Sequence, residues 1–269
     1  MYTSNRKTMT TLYDGKMAEI YDAMYQSFVD YDEEYAFYNA FIQENNCKSI
    51  LEIGSGTGNL AKRFKENQQD YTGLDYSDSM IAIARERNKN CTFIQGDMRD
   101  FNLEKQVDAI IITGRSTSYL TTNDDMNETF ASLFNNITEQ GIIVFDFIDA
   151  NRFIPYINEN KKIIHQAEHE GINYIRESNW ETTTLDNFMV EWNAKYFTCI
   201  NEEKDLIAND FSTVRVFTLN EMQLFLYLNN FEIIKTIDRK TYAYDTYVIV
   251  AKKKEHLKPI DTDPIFYCE

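Results

Sequence analysis

The sequence predicts an α/β fold built on a doubly wound, mostly parallel sheet. Three observations predict it. Lys48 to Asn59 reads K-S-I-L-E-I-G-S-G-T-G-N, a short apolar strand that runs straight into a glycine turn. Val107 to Ile112 is a second continuous apolar run, as expected of a central parallel strand buried on both faces. Between and after these runs the apolar spacing alternates between strand and helix periods, the pattern of βα units.

In the first stretch Ile50, Leu51 and Ile53 form the strand, and Gly54, Gly56 and Gly58 alternate across the turn. Glycine tolerates positive φ there and lets a ligand lie against the backbone. Leu60, Ala61 and Phe64 then recur at helical spacing, so free backbone N–H groups face the turn. The dinucleotide fingerprint G-x-G-x-x-G would place its third glycine at Asn59, so that fingerprint is broken. Tyr71 to Asp75 reads as a second strand ending in a carboxylate, where an acid can accept both ribose hydroxyls of a nucleotide. Ser77 is an N-cap for a helix containing Met80, Ile81, Ile83 and Ala84, with Met80 beside a ligand or in the core. Cys91 to Gln95 reads as a third strand, followed by G-D-M-R-D-F from Gly96 to Phe101.

The Glu52–Gly58 string E-x-G-x-G-x-G, Asp75 at the second strand end and Asp97-Met98 after the third resemble the ordered motifs of class I S-adenosylmethionine (SAM) dependent methyltransferases. The resemblance implies a Rossmann-like seven-stranded sheet. It implies SAM as cofactor and S-adenosylhomocysteine as product. It places Glu52, Gly54, Gly56, Gly58, Asp75, Tyr76, Met80, Asp97, Met98 and Thr113 around the cofactor, with Asp97 receiving the adenine amino group.

Residues 11 to 44 are tyrosine-rich and predict one or two amphipathic helices. The string A-E-I-Y-D-A-M-Y, followed by D-Y, resembles the N-terminal region of aminosugar N,N-dimethyltransferases, whose tyrosines close over SAM. That resemblance carries to Tyr21 and Tyr31.

The apolar run ending at Ile112 opens into T-G-R-S-T-S-Y-L, a loop at the ligand-bearing end of such a sheet. Aminosugar dimethyltransferases commonly carry a histidine in this loop. This chain has Tyr119, the candidate catalytic residue, orienting the acceptor and receiving its proton through water. Arg115 pairs with a substrate carboxylate or phosphate, or forms a structural ion pair. Residues 124 to 138 predict a helix and Gly141 to Phe147 the fifth strand, with Asp146 and Asp149 as substrate-side acids favouring an ammonium.

Residues 163 to 217 alternate with period two between polar turns at Glu170-Gly171 and Thr184 to Asn187, predicting an inserted antiparallel β subdomain over the rim. His165 and His169 share one face of a strand, as packed side chains or as a metal pair without a third ligand. Trp180 and Trp192 pack the inserted sheet or wall a pocket. Thr218 to Glu221 is a capping-box signature for the next helix, and Phe231 to Ile237 with Tyr244 to Ala251 predict a final strand pair. The expected division is a helical lid (1–45), a SAM-binding core (46–150), an antiparallel substrate cap (151–217), completion of the core (218–251) and a polar tail (252–269).

The net charge of −16 argues against a nucleic-acid backbone as partner. Cys47, Cys91, Cys199 and Cys268 show no metal or disulfide spacing, and no metal is expected. No signal-peptide or membrane-spanning run is seen, so the expectation is a cytoplasmic monomer or homodimer without membrane partners. The functional expectation is N-methylation of a small amine-bearing metabolite. O-methylation and a non-catalytic SAM-binding protein stand as alternatives.

Overall fold

A computed structural model describes residues 13, 15–183, 188–200, 203–241 and 244–254. Its main sheet has seven strands in the order β10-β11-β5-β4-β1-β2-β3. These are β1 (Ser49–Ile53), β2 (Asp70–Asp75), β3 (Thr92–Gln95), β4 (Val107–Ile112), β5 (Ile137–Phe147), β10 (Phe231–Arg239) and β11 (Thr246–Lys253). β1 to β5 run parallel, whereas β11 is antiparallel to both β5 and β10. The chain leaves β1 for β2 on one side and returns to β4 on the other. The order therefore reverses between β1 and β4, and ligands bind at such a reversal, beyond the carboxyl ends of the strands.

Alternate residues of the central strands feed two cores. Leu51, Ile53, Ile110, Ile112, Ile143 and Phe145 pack under α5 (Asn123–Asn136) and α7 (Leu219–Leu228). Ile50, Ala109, Ile111, Ile142 and Val144 pack under α2 (Tyr31–Glu44), α3 (Ala61–Glu66) and α4 (Asp78–Arg87). Both phases are apolar because both faces are covered, hence the continuous apolar runs.

The second sheet has four antiparallel strands, β6 (Ile163–His169), β7 (Ile172–Thr182), β8 (Met189–Ile200) and β9 (Glu203–Arg215). The β6–β7 turn is Glu170-Gly171, with φ of 51° and 76°, the left-handed pair that a two-residue hairpin needs. The turn read at Thr184 to Asn187 lies outside the described residues. One face of this sheet carries Tyr174, Trp192, Ala194 and Tyr196, which bury Met17, Ile20 and Met24 of α1 (Lys16–Phe28).

Several elements depart from the sequence expectation. A helix, α6 (Ala150–Glu159), precedes the second sheet and is capped by Asp149. Pro155 inside it masks the helical pattern, although the neighbouring Phe153 and Ile157 are buried at helical spacing. At Thr218 only half of a capping box forms. Thr218 accepts from the Glu221 N–H at 3.2 Å, while the Glu221 carboxylate pairs instead with buried Arg215. The reciprocal box belongs to Thr122 and Asp125, an N3 aspartate where the signature looks for Glu or Gln. β11 runs on to Lys253, so the tail does not begin at 252. Residues 255–269, with Cys268, lie outside the described residues. Cys47, Cys91 and Cys199 are free thiols.

Candidate active site

The turn after β1 is clamped onto the end of β2. The N–H groups of Gly54 and Ser55 donate to the Leu74 carbonyl at 2.9 and 3.1 Å. Asp75 then joins the two turns, one oxygen accepting from Gly56 N–H at 2.8 Å and the other from Ser77 N–H at 2.9 Å. Burial raises the Asp75 pKa above its ordinary value, against those backbone hydrogen bonds. Ser77 caps α4 by accepting from Met80 N–H at 3.1 Å. These groups open onto a cavity of about 750 Å³ lined by Gly54, Gly56, Asp75, Tyr76, Met80, Asp97 and Met98, among others. Leu74 and Leu120 add apolar wall.

Asp97 is not isolated there. Arg99 donates to both of its oxygens, at 2.6 Å and 3.0 Å, and reaches on to Asp125 at 2.7 Å. The Arg99 guanidinium holds the Asp97 pKa below its ordinary value, against partial burial.

Glu52 and Thr113 line neither this cavity nor its neighbour. Glu52 is buried in the sheet, where it accepts from Tyr71 Oη at 2.6 Å and Thr113 Oγ1 at 2.9 Å. It thereby ties β2 and the end of β4 to β1. Burial pushes its carboxyl up to about 7, against these two hydrogen bonds. Its ordinary value is 4.5, so Glu52 adds stability below pH 4.5 and loses it as pH rises to about 7. The loss is ~3 kcal/mol, from about 1.4 kcal/mol per unit. Relative to Glu52→Gln, wild-type stability in denaturant should fall between these pH values. Parallel pH curves for the two proteins would show a carboxyl that titrates normally.

Gly58 also lies off the cavity, packed against Asn88 and Phe93. Tyr31 opens α2 against the sheet and lines neither cavity, in contrast to the lid role drawn for it. Its register explains this, because Tyr31, Tyr35 and Tyr38 share the face that packs on the core.

Tyr21 does line the cavity, stacked on Tyr25 with ring centroids 4.0 Å apart and edge-on to Tyr13 at 5.4 Å. Its helix α1 is fastened across the mouth. Asp22 pairs with Arg87 at 2.5 Å and accepts from Thr57, while Asn59 donates to it at 3.4 Å and accepts from Arg87 at 2.7 Å. Burial works against the Asp22 charge, but Arg87 and Thr57 prevail and lower its pKa. Asn59, the residue that breaks the dinucleotide fingerprint, is thus part of the tie that holds α1.

A second cavity of about 350 Å³ lies between the strand-end loop and the second sheet. It shares Tyr13, Tyr21, Gly114 and Tyr119 with the first. The hydroxyls of Tyr13 and Tyr119 are hydrogen-bonded to each other at this junction. Tyr119 is 42% exposed because its ring faces the joined cavities. Surrounding protein still raises its pKa well above the ordinary value. Trp180, Trp192, Tyr156 and Tyr244 wall the second cavity.

The acids assigned to the substrate are placed elsewhere. Asp146 is buried and accepts from the Arg115 N–H at 3.0 Å. Asp149 is buried as the α6 cap and pairs with Arg152 at 3.3 Å. Neither lines a cavity, because side chains at these positions turn back under the sheet and into the helix start. Arg115 has the structural charge partner considered for it and also reaches a cavity wall. It lines the second cavity, donates to Thr241 at 2.6 Å and stacks on Tyr244, with Asp146 as the neighbouring charge. His165 meets Arg176 and the Phe28 ring, and His169 lies 3.6 Å from Glu19. No metal-binding cluster occurs among the described residues.

Tyr13, Tyr25, Arg176 and Tyr244 were not singled out from sequence. Arg176 left a signal, as a charged residue in the same inward phase as Tyr174 and Trp180. The others are aromatic residues whose cavity role depends on distant segments meeting.

Residues 50–141 match a family described as a methyltransferase domain. That stretch of the chain is similar to a methyltransferase domain. Its relatives include YqeM of Bacillus subtilis, a methyltransferase by name, 33% identical over 50% of this chain and 55% of that protein. Another is the dTDP-3-amino-3,4,6-trideoxy-alpha-D-glucopyranose N,N-dimethyltransferase of Streptomyces venezuelae, 29% identical over 50% of this chain and 58% of that one. The chain thus spans little more than half the length of the curated relatives it matches. The crystal structure of Streptomyces venezuelae DesVI superposes with a TM-score of 0.72 at 20% identity, covering 88% of this chain and 99% of that one. At that identity the likeness is one of fold. Residues within the matched stretch supply most of the lining of the strand-end cavity, and Tyr13, Tyr21 of α1 and Asp210, Phe211 and Ser212 of β9 supply the rest.

Proposed function

We propose that the protein is a SAM-dependent methyltransferase that methylates nitrogen in a small amine-bearing metabolite. The observation that carries this reading is the pair of joined cavities, one on the methyltransferase motifs and one behind Tyr13 and Tyr119. The first cavity fits the cofactor. Gly56 has no atom within 4 Å of where a Cβ would stand, so its backbone is open to a ligand. Asp75 would hold the ribose hydroxyls, Asp97 the adenine amino group, and Met80 and Met98 the faces of the adenine ring. When bound, SAM supplies a methyl already activated by the sulfonium.

The chain's own contribution is then orientation and exclusion of water. Orientation of this kind contributes on the order of 7–11 kcal/mol to lowering a barrier. Tyr21, on the helix fastened by Asp22, closes the cavity mouth. Tyr119 is a neutral phenol at neutral pH, since its pKa is raised. Its oxygen accepts a hydrogen bond from the amine N–H, which turns the lone pair toward the methyl, and the proton leaves to solvent or buffer rather than to a phenolate. The aminosugar N,N-dimethyltransferases among the relatives support the choice of nitrogen. No described helix is long and apolar enough to cross a membrane.

Calorimetry with SAM and with NAD tests the cofactor, and tight NAD binding without SAM binding would sink the reading. Mass spectrometry of methylated metabolites tests the acceptor atom, with a methyl found only on oxygen refuting nitrogen. Tyr119→Phe should lower kcat roughly 10- to 100-fold, the range of one well-placed catalytic hydrogen bond. SAM affinity should stay within about twofold, well under the ~1 kcal/mol of a lost hydrogen bond. Full turnover in the variant would remove the hydroxyl from the mechanism.

A further inference from the structure

The second cavity inverts the charge of the molecule around it. The whole chain carries −16, yet among the described residues that line this cavity there is no Asp or Glu, while two arginines, Arg115 and Arg176, face it. Arg115 has a counter-charge in Asp146. Arg176 is only 5% exposed and is joined to no acid among the described residues. Its Nη2 meets His165 Nδ1 at 3.0 Å, and its Nε has no hydrogen-bond partner. Burial and the adjacent guanidinium push the His165 pKa down to about 4, so this partner is neutral at physiological pH. The other neighbours of Arg176 are the Tyr25 and Tyr196 phenols, whose hydroxyls interact with it, and the Trp192 ring 5.7 Å away, and none of these is a carboxylate. A guanidinium does not shed its proton to escape burial, and a buried cation is costly unless an anion faces it.

We propose that the methyl acceptor carries an oxyanion, a carboxylate or a phosphate ester, that Arg176 receives. The guanidinium fork suits either group and would fix one end of the acceptor. The aromatic walls then hold its body, and the nucleophilic atom reaches the Tyr13–Tyr119 junction. This rests on the reading of the first cavity as the cofactor's and the second as the acceptor's. It replaces the expectation of an acid-lined site for an ammonium, since Asp146 lies under the sheet and Asp149 caps α6.

The test is a calorimetric titration of the full chain, with and without S-adenosylhomocysteine, by two matched pairs of probes. These are 4-aminobenzoate against aniline, and phenyl phosphate against phenol. At least one anionic probe should bind ten times or more tighter than its neutral partner, as expected for a charged hydrogen bond. The pair with the larger ratio identifies carboxylate or phosphate as the group recognised. Arg176→Met should bring the ratio to near one, and Arg176→Lys should retain part of it. Equal affinities in both pairs, no binding of either anion at millimolar concentration, or an unchanged ratio in Arg176→Met would overturn the proposal. The wild-type ratios decide the matter even if Arg176→Met fails to fold. S-adenosylhomocysteine titrated into the same protein reports separately on the methyl-transfer reading. An anion preference without its binding would sink methyl transfer alone, and its binding without an anion preference would sink the Arg176 site alone.

Discussion

Asp75→Ala should weaken SAM binding by about two to three orders of magnitude, or ~3–4 kcal/mol. Two hydrogen bonds from a ribose to a carboxylate would be lost, at roughly 1.5–3 kcal/mol each for a charged acceptor, with partial replacement by water. The same side chain also holds Gly56 N–H and Ser77 N–H, so its removal loosens both turns that frame the cavity. Asp75→Asn separates the two contributions. It keeps the shape but can no longer accept from both sides, so an intermediate loss is expected. Wild-type affinity should also fall on acidification sooner than for an ordinary aspartate, because the Asp75 pKa is raised and the protonated acid accepts poorly. Calorimetry across pH measures this, and SAM affinity unchanged by Asp75→Ala would take the residue out of the cofactor site.

The second large effect falls on stability and separates two glycines of one motif. A Cβ at Gly58 would stand 2.8 Å from Asn88 Nδ2, 2.9 Å from Phe93 Cζ and 3.1 Å from Ala84 Cβ, on a backbone at φ +74°. Left-handed strain of about 1–2 kcal/mol and overpacking of about 1–3 kcal/mol combine, so Gly58→Ala should lose ~2–4 kcal/mol of folding stability. Gly56, at φ +52°, has nothing within 4 Å of its Cβ position and faces the cavity. Gly56→Ala should therefore lose only about 1 kcal/mol of stability, from strain alone. It should still weaken SAM binding, because its methyl enters the space a ligand would use. Denaturant unfolding and calorimetry on both variants make the comparison. Equal stability losses at the two positions would contradict this division of roles.

The main sheet was legible because its strands are buried on both faces and show as apolar runs closed by glycine or an acid. The inserted sheet was legible as period-two alternation, and its first hairpin as Glu170-Gly171. α6 was not, because Pro155 interrupts the pattern on which a helix is recognised. The motif residues divide in a way that spacing does not reveal. Gly54, Gly56, Asp75, Met80 and Asp97 face one cavity, whereas Glu52, Gly58 and Thr113 brace the strands and turns behind it. Alternation along β1 puts Glu52 on the face opposite Leu51 and Ile53, but only its meeting with Tyr71 and Thr113 makes it a brace.

By itself the sequence determined the local periods, the glycine turn, the caps and the order of the motifs. These follow from interactions among residues close in the chain. The tertiary structure alone decided which charges face the ligand space. Asp146 and Asp149, read as substrate-side acids, turn under the sheet to Arg115 and into the cap of α6. Arg176, more than fifty residues from the strand-end loop, enters the same cavity as Tyr119. The physical reason is that a side chain's phase on its strand is local, whereas the partner that neutralises or leaves uncovered its charge comes from another part of the chain. In this protein that pairing leaves the second cavity cationic inside an acidic molecule.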